Sequence, residues 1–249
     1  MLPIEPSSAP ALMLLHGMFG RPADWEPVGK ALEAEWRVFI PRLPVFDFPD
    51  GQCGLRSLCD RVRDILDSNG VKRVVLGGNS LGGHVALLLA LHMPERVSGL
   101  VLTGSSGLFE HQLEGGFDRG VPRRPSREWI YDRVREVFYD EVHVTDDLID
   151  EVAETVSRRR TVVNVVRLAR AVRRSNLRDQ LRSITCPVTL IWGTEDRITP
   201  PRVAHEFARH LPNASIHFLD RCGHTPPIER PEQFTGIVRP ALEGIVASR

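Results

Sequence analysis

The stretch Val74-Val75-Leu76-Gly77-Gly78-Asn79-Ser80-Leu81-Gly82-Gly83 decides how the rest of the chain is read. An apolar run of strand character stops at paired glycines, one serine follows, and a helical run through His92 begins at once. Gly78-Asn79-Ser80-Leu81-Gly82 has the G-x-S-x-G form. A serine on so sharp a strand-to-helix turn is held at strained backbone angles with its hydroxyl projecting free. A Cβ at either flanking glycine would meet neighbouring backbone. The helix that follows aims its free N–H groups at the place where negative charge would develop. A glycine-rich turn of this kind can also cradle a phosphate. Neither G-x-G-x-x-G nor a Lys-Ser or Lys-Thr pair follows, so both nucleotide fingerprints are unmet.

Strand-like runs alternate with helical ones on both sides of this turn. The strands are Ala11–Leu15, Arg37–Ile40, Arg73–Gly77, Gly99–Thr103, Val188–Trp192 and Ser215–Leu219. Each is short, nearly continuous in apolar character and rich in Val, Ile and Leu, as strands buried on both faces of a parallel sheet are. Helical stretches lie at about Asp24–Ala34, Gly54–Asn69, Leu81–His92, Pro201–Leu211 and Pro231–Val246. The alternation predicts an α/β fold with a mostly parallel, doubly wound sheet and ligands at the carboxyl ends of its strands. From about Leu108 to Ser183 no strand is evident. Helices are predicted there at Ser126–Phe138, Thr145–Ser157 and Thr161–Arg174, opened by Ser126 and Thr145 as N-caps. The expected division is therefore core residues 1–107, a helical cap at 108–183, and core residues 184–249.

Composition narrows the function classes. The chain has 249 residues, 32 Lys plus Arg against 32 Asp plus Glu, and an apolar content of 42%. Balanced charge gives no electrostatic case for nucleic acid or a charged membrane surface. No apolar run is long enough to span a bilayer, and the N-terminus lacks the basic and apolar regions of a secretory signal. Cys53, Cys59, Cys186 and Cys222 form no C-x-x-C pair and no zinc spacing. Reduced thiols and a cytoplasmic location are expected. Neither a metal nor a cofactor is implied. The expected partner is a small-molecule substrate, and a homo-oligomer stays open.

A serine hydroxyl needs a base to become a nucleophile, and the imidazolium so formed needs a carboxylate to orient it. Among nine histidines, His224 lies in a loop just past the last apolar strand, in Cys222-Gly223-His224-Thr225. The carboxylate is sought at another strand end, Gly193-Thr194-Glu195-Asp196, where Asp196 is preferred and Glu195 competes. Adjacent side chains in a tight turn point in different directions, so only one of the two serves. The strand before it ends Thr103-Gly104-Ser105-Ser106, with no carboxylate until Glu110. Developing oxyanion charge needs preorganised donors. The backbone N–H of Leu81 should be one and that of Met18, after His16-Gly17, the other. His16 itself is expected to hold that loop. Candidate pocket-lining residues are Phe19, Asn79, Phe109, Trp129 and Ile198.

With Ser80, Asp196 and His224 in this order, the chain resembles the α/β-hydrolase superfamily over nearly its whole length. The resemblance rests on His16-Gly17, Gly78–Gly83, Gly193–Asp196, and Gly223-His224 with Pro231-Glu232 soon after. Within the superfamily it is similar to the meta-cleavage-product hydrolases, which split carbon–carbon bonds of vinylogous 1,5-diketones. Gly78-Asn79-Ser80, Val137–Asp140 and Val144–Leu148 carry that likeness. The chain departs from those enzymes in three places. Its oxyanion loop is short (Met18-Phe19-Gly20), Thr225 stands where an aromatic residue usually follows the histidine, and Val152 stands where a substrate-binding arginine is usual. Arg167, Arg170 and Arg174 share one helix face, read as a solvated one. The resemblance implies a serine hydrolase with a Ser-His-Asp triad acting on an ester or C–C bond. A ligand-sensing protein of the same fold with little turnover, or a lyase or perhydrolase using the same triad, are the alternatives. Haloalkane dehalogenase and epoxide hydrolase chemistry is disfavoured, because both place a carboxylate where Ser80 stands. The superfamily's first two strands normally precede the His-Gly strand, and only about ten residues precede it here. A reduced N-terminal sheet edge is therefore expected.

Overall fold

The computed structural model describes residues 9–48, 52–108 and 125–247. Its centre is a six-stranded, all-parallel sheet of β1 (Ala11–Leu15), β2 (Arg37–Phe39), β3 (Val74–Asn79), β4 (Val97–Thr103), β5 (Val188–Gly193) and β6 (Ala214–Leu219), in the order β2-β1-β3-β4-β5-β6. All six predicted strands are present, and β2 is an edge strand. Whether an N-terminal remnant exists lies outside the described residues, which begin at Ala9.

The apolar runs have no visible alternation because both faces of the sheet are covered. In β1, Ala11, Met13 and Leu15 enter the cluster on one face, while Leu12 and Leu14 enter the other. In β5, Val188, Leu190 and Trp192 divide from Ile191 in the same way. The first face is covered by α2 (Leu55–Ser68), α3 (Leu81–His92) and α7 (Pro201–His210), through residues such as Leu58, Val62, Val85 and Phe207. The second is covered by α1 (Glu26–Leu32) and α9 (Pro231–Ala247), through Val28, Leu32, Phe234, Val238 and Leu242. The helix expected from Asp24 begins later, because Pro22–Trp25 form a 3-10 turn ahead of α1.

Between β4 and β5 the described residues form α4 (Arg127–Arg135), α5 (Asp146–Ser157) and α6 (Arg159–Arg174). Ser126 and Thr145 cap α4 and α5 as expected, each accepting a backbone N–H three residues on. α4 stops three residues short of the predicted Phe138. Its continuation has other hydrogen-bonding partners, described below. α4 and α5 build a separate apolar cluster from Ile130, Val134, Phe138, Ile149, Val152 and Val156. α6 spans the two parts: Val162 packs on that cluster and Leu168 enters the main core. Arg167, Arg170 and Arg174 are at least partly exposed, in keeping with a solvated face. No described helix is long and apolar enough to cross a membrane.

α3 is buried on nearly all sides, and the polar side chain of His84 within it is fully enclosed. His84 lies 3.2 Å (Nδ1) from Ser106 Oγ and 2.9 Å (Nε2) from Ser175 Oγ. Ser106 spends its proton on the carbonyl of Ser80, at 3.3 Å. His84 Nδ1–H is therefore the donor to Ser106, and Nε2 accepts from Ser175. Burial pushes the imidazole down to about 4. The unfolded chain then takes up a proton near pH 6.5 that the folded chain refuses until about pH 4. His84 thus favours folding fully above pH 6.5 and loses that contribution as pH falls toward 4, by at most about 3 kcal/mol. Urea denaturation at about pH 7.5 and about pH 4.5 is expected to show a smaller pH-dependent loss of stability in His84→Gln than in wild type.

Candidate active site

Ser80, Asp196 and His224 each follow the carboxyl end of a strand, where the parallel sheet collects them. Ser80 sits between β3 and α3 with φ 53° and ψ −113°, a positive-φ backbone that a non-glycine residue adopts only when its surroundings enforce it. The flanking glycines explain the enforcement. A Cβ on Gly78 would lie 2.4 Å from the backbone carbon of Gly82, and one on Gly82 would lie 2.1 Å from the carbonyl oxygen of Leu15. The turn closes only because strand and helix backbones touch there.

Of the two candidate carboxylates, Asp196 is the one beside His224. Asp196 is 3% exposed and its Oδ2 lies 2.9 Å from His224 Nδ1. Three further donors converge on it: the N–H of Ile198 and of Thr199 on Oδ1, and the Thr199 hydroxyl on Oδ2. This arrangement fixes the proton of His224 on Nδ1 and leaves Nε2 as the basic nitrogen. Glu195 turns the other way, where its Oε2 accepts the Thr194 hydroxyl and the Cys222 N–H. Thr199 escaped the sequence reading, although a threonine three residues after an aspartate in a turn signals a side-chain-to-backbone capping motif.

His224 is 5% exposed and its ring packs on Gly104. Gly104 has φ +51°, and a Cβ there would come within 2.7 Å of the imidazole. The loop's backbone is held from both sides: the His224 N–H donates to Val137 O at 2.8 Å, and the His224 carbonyl accepts from Asn79 Nδ2 at 2.8 Å. Asn79 lines the cavity as expected, but its amide also donates to Thr103 O, so its hydrogens are spent on backbone. Cys222, two residues before His224, is buried, and burial pushes its thiol up, which leaves it an apolar filler.

Ser80, His224, Met18, Leu81, Phe19 and Ile198 all line one cavity of about 560 Å³ between the sheet's carboxyl edge and α4–α6. The Leu81 N–H is at the first position of α3 and has no helical carbonyl to bond. The Met18 N–H makes no backbone hydrogen bond among the described residues. The His16 ring holds the Met18 loop: Nδ1 donates to Gly17 O at 2.8 Å and Nε2 accepts from the Leu43 N–H at 2.9 Å. Burial depresses its pKa, which keeps it in this neutral role. The remaining walls are chiefly apolar, from Trp25, Val134, Val137, Phe138, Leu148, Val152 and Val172, with Arg133, His143 and Thr225 among the polar ones.

Two expected lining residues need comment. Trp129 does not line the cavity; it packs against the α4–α5 cluster. Of α4, Arg133 and Val134 line the cavity, and Val137 just beyond the helix does too. Trp129 lies one turn before Arg133, near the start of α4, and so is set back along the helix axis from the cavity wall. Phe109 lies outside the described residues. Among the described residues no group of three His, Cys, Asp or Glu side chains is arranged to hold a metal ion.

The chain matches the model of the alpha/beta hydrolase family over residues 12–236. It is 31% identical to the 2-hydroxy-6-oxononadienedioate/2-hydroxy-6-oxononatrienedioate hydrolase of Cupriavidus pinatubonensis, over 93% of this chain and 86% of that one. Among solved structures, an alpha/beta hydrolase enzyme from a sediment metagenome of the Mar Chica lagoon, Morocco, aligns with a TM-score of 0.76 at 30% identity, covering 95% of this chain and 92% of that one. A bacterial membrane phospholipase A aligns with a TM-score of 0.83 at 25% identity, covering 95% of this chain and 79% of that one. The family match spans the strained serine turn and the parallel sheet that carries it, and this chain belongs to the alpha/beta hydrolase family.

Proposed function

We propose that the protein is a serine hydrolase in which Ser80, His224 and Asp196 form one proton relay, and that it cleaves the carbon–carbon bond of a meta-cleavage-type diketone. The observation that carries the relay is the 2.9 Å contact between His224 Nδ1 and Asp196 Oδ2, with Ser80 on the wall of the same cavity. The C–C reading is supported by the similarity to the Cupriavidus hydrolase. It is also supported by a cavity with room for a small acyl compound and mainly apolar walls.

In this mechanism His224 Nε2 takes the Ser80 proton as the serine oxygen attacks a carbonyl carbon. Asp196 accepts from Nδ1–H and stabilises the imidazolium. The N–H groups of Leu81 and Met18 receive the oxyanion of the tetrahedral intermediate. Collapse expels the leaving carbon, which takes the proton from His224. Water, activated by the same imidazole, then releases the acyl group from Ser80. Hydrolysis of a carboxylic ester is the second reading. It is favoured by Val152 and Thr225, which stand where C–C hydrolases usually carry an arginine and an aromatic residue.

Ser80→Ala is expected to lower turnover by about 10³-fold or more and to abolish labelling by a fluorophosphonate probe, read by intact-mass spectrometry. Near-wild-type turnover in that variant would refute the assignment. Asp196→Asn is expected to lower kcat by about 10³–10⁴-fold, while Glu195→Gln stays within about tenfold of wild type. The reverse ranking would move the acid to Glu195. Steady-state assays of a meta-cleavage dienone beside p-nitrophenyl esters of graded acyl length decide between the two bond types. Turnover of esters with none of the dienone would overturn the C–C reading.

A further inference from the structure

One buried carboxylate outside the relay joins the His224 loop to the helical insertion. Glu229 lies in α8 (Pro226–Glu229), a four-residue helix, and is 4% exposed. Its Oε1 accepts the Gly223 N–H at 2.8 Å. Its Oε2 accepts the Tyr139 N–H at 2.8 Å and the Asp140 N–H at 3.3 Å. Residues 139–140 follow α4 and belong to the insertion, whereas Gly223 belongs to the loop after β6. Next to this bridge runs a direct bond between the same two segments, His224 N–H to Val137 O at 2.8 Å. The approach is so close that a Cβ on Gly223 would lie 2.7 Å from Val137 O and 2.9 Å from Glu229 Oε1.

The bridge is costly. Burial raises the Glu229 pKa, and the N–H groups of Tyr139 and Gly223 pull it back. An apolar residue would fill the same space without desolvating a charge, but it would leave one buried and two part-buried N–H groups without this acceptor. Because α4 ends at Arg135, the N–H groups of Tyr139 and Asp140 are free of helical bonds and available for this use.

We propose that Glu229 is a positioning residue for His224: its carboxylate registers the His224 loop against the insertion, so that seating of the insertion and placement of the imidazole are a single event. This rests on the relay reading above. Glu229 takes no proton from substrate or serine and touches neither. It fixes the backbone one residue before His224 from the insertion side, while Asn79 fixes the His224 carbonyl from the sheet side.

Glu229→Gln tests this. The amide keeps one carbonyl oxygen and turns an NH₂ group onto the other N–H donors, so one half of the bridge breaks while the side-chain shape is kept. The readout is the saturation kinetics of Ser80 phosphonylation by a fluorophosphonate, a step that needs His224 as base. The maximal rate is expected to fall by at least about tenfold, with the half-saturating probe concentration unchanged, in protein that is still folded by circular dichroism. Folded Glu229→Gln reacting at the wild-type rate would overturn the proposal. Hydrogen exchange on the wild type covers the case of a variant that does not fold. The amides of Tyr139 and Asp140 and those of Gly223 and His224 are expected to share one opening free energy. Free exchange of Tyr139 and Asp140 beside protected Gly223 and His224 would overturn the coupling. A wild type that fails to label at all would sink the relay reading instead, and the exchange measurement would still decide the coupling.

Discussion

The backbone of Ser80 stands at φ 53° because β3 and α3 meet with their main chains in contact, and the candidate site is arranged around that contact. A non-glycine residue in such a conformation costs on the order of 1–3 kcal/mol. The cost is met by packing on every side. Ser80 N–H donates to Thr103 O, while its carbonyl accepts from the N–H groups of His84 and Ser106. Leu15 O sits where a side chain on residue 82 would be. The strain lifts the serine side chain out of the strand–helix junction and leaves the first N–H of α3 without a helical partner beside it. One backbone geometry thereby leaves both Ser80 and the Leu81 N–H at the wall of the same cavity.

Around this point the fold places each remaining group by a separate device. His16 holds the loop that carries Met18 through its two ring nitrogens. Four donors fasten Asp196. Gly104 yields space for the imidazole. The His224 loop is tied to Glu195 through Cys222, to Glu229 through Gly223, and to Val137 and Asn79 through its own peptide groups. These ties are mostly between side chains and backbone, and they span sequence separations of up to 145 residues. A loop held in this way needs little reorganisation to act, which is the requirement for preorganised electrostatics.

The helical insertion sets what the cavity admits. Its α4 and α5, with the segment between them, present Val134, Val137, Phe138, Leu148 and Val152 to the interior, and α6 contributes Val172. α6 is also rooted in the main core through Leu168, so the insertion is no loosely attached lid. Val152 is buried in the α4–α5 cluster, at the place where the similar C–C hydrolases usually carry an arginine. The wall made there is apolar.

How much of this was legible in the residues can be said element by element. All six strands and the long helices follow from continuous apolar runs, 3.6-residue periodicity and capping residues, because those signals are local. Ser80, Asp196 and His224 were legible as candidates for a related reason: each sits beside a glycine or in a turn that ends a strand, and parallel topology brings strand ends together. Other features were decided only by tertiary contact. α8 is four residues opened by two prolines and has no periodicity to read. Trp129 and Ile130 are apolar neighbours, and only the packing of α4 on α5 buries Ile130 fully, leaves Trp129 partly buried and keeps both off the cavity wall. That Asp196 rather than Glu195 meets His224 depended on the direction of two adjacent side chains. Glu229 looks like any surface glutamate in the sequence, because its partners are backbone N–H groups, which no residue letter encodes. The sequence by itself determined the architecture and the chemistry of the turn, since propensity and spacing are properties of neighbours along the chain. The shape of the cavity and the supports of the His224 loop were left to the tertiary structure, since they are made of peptide groups that meet across it.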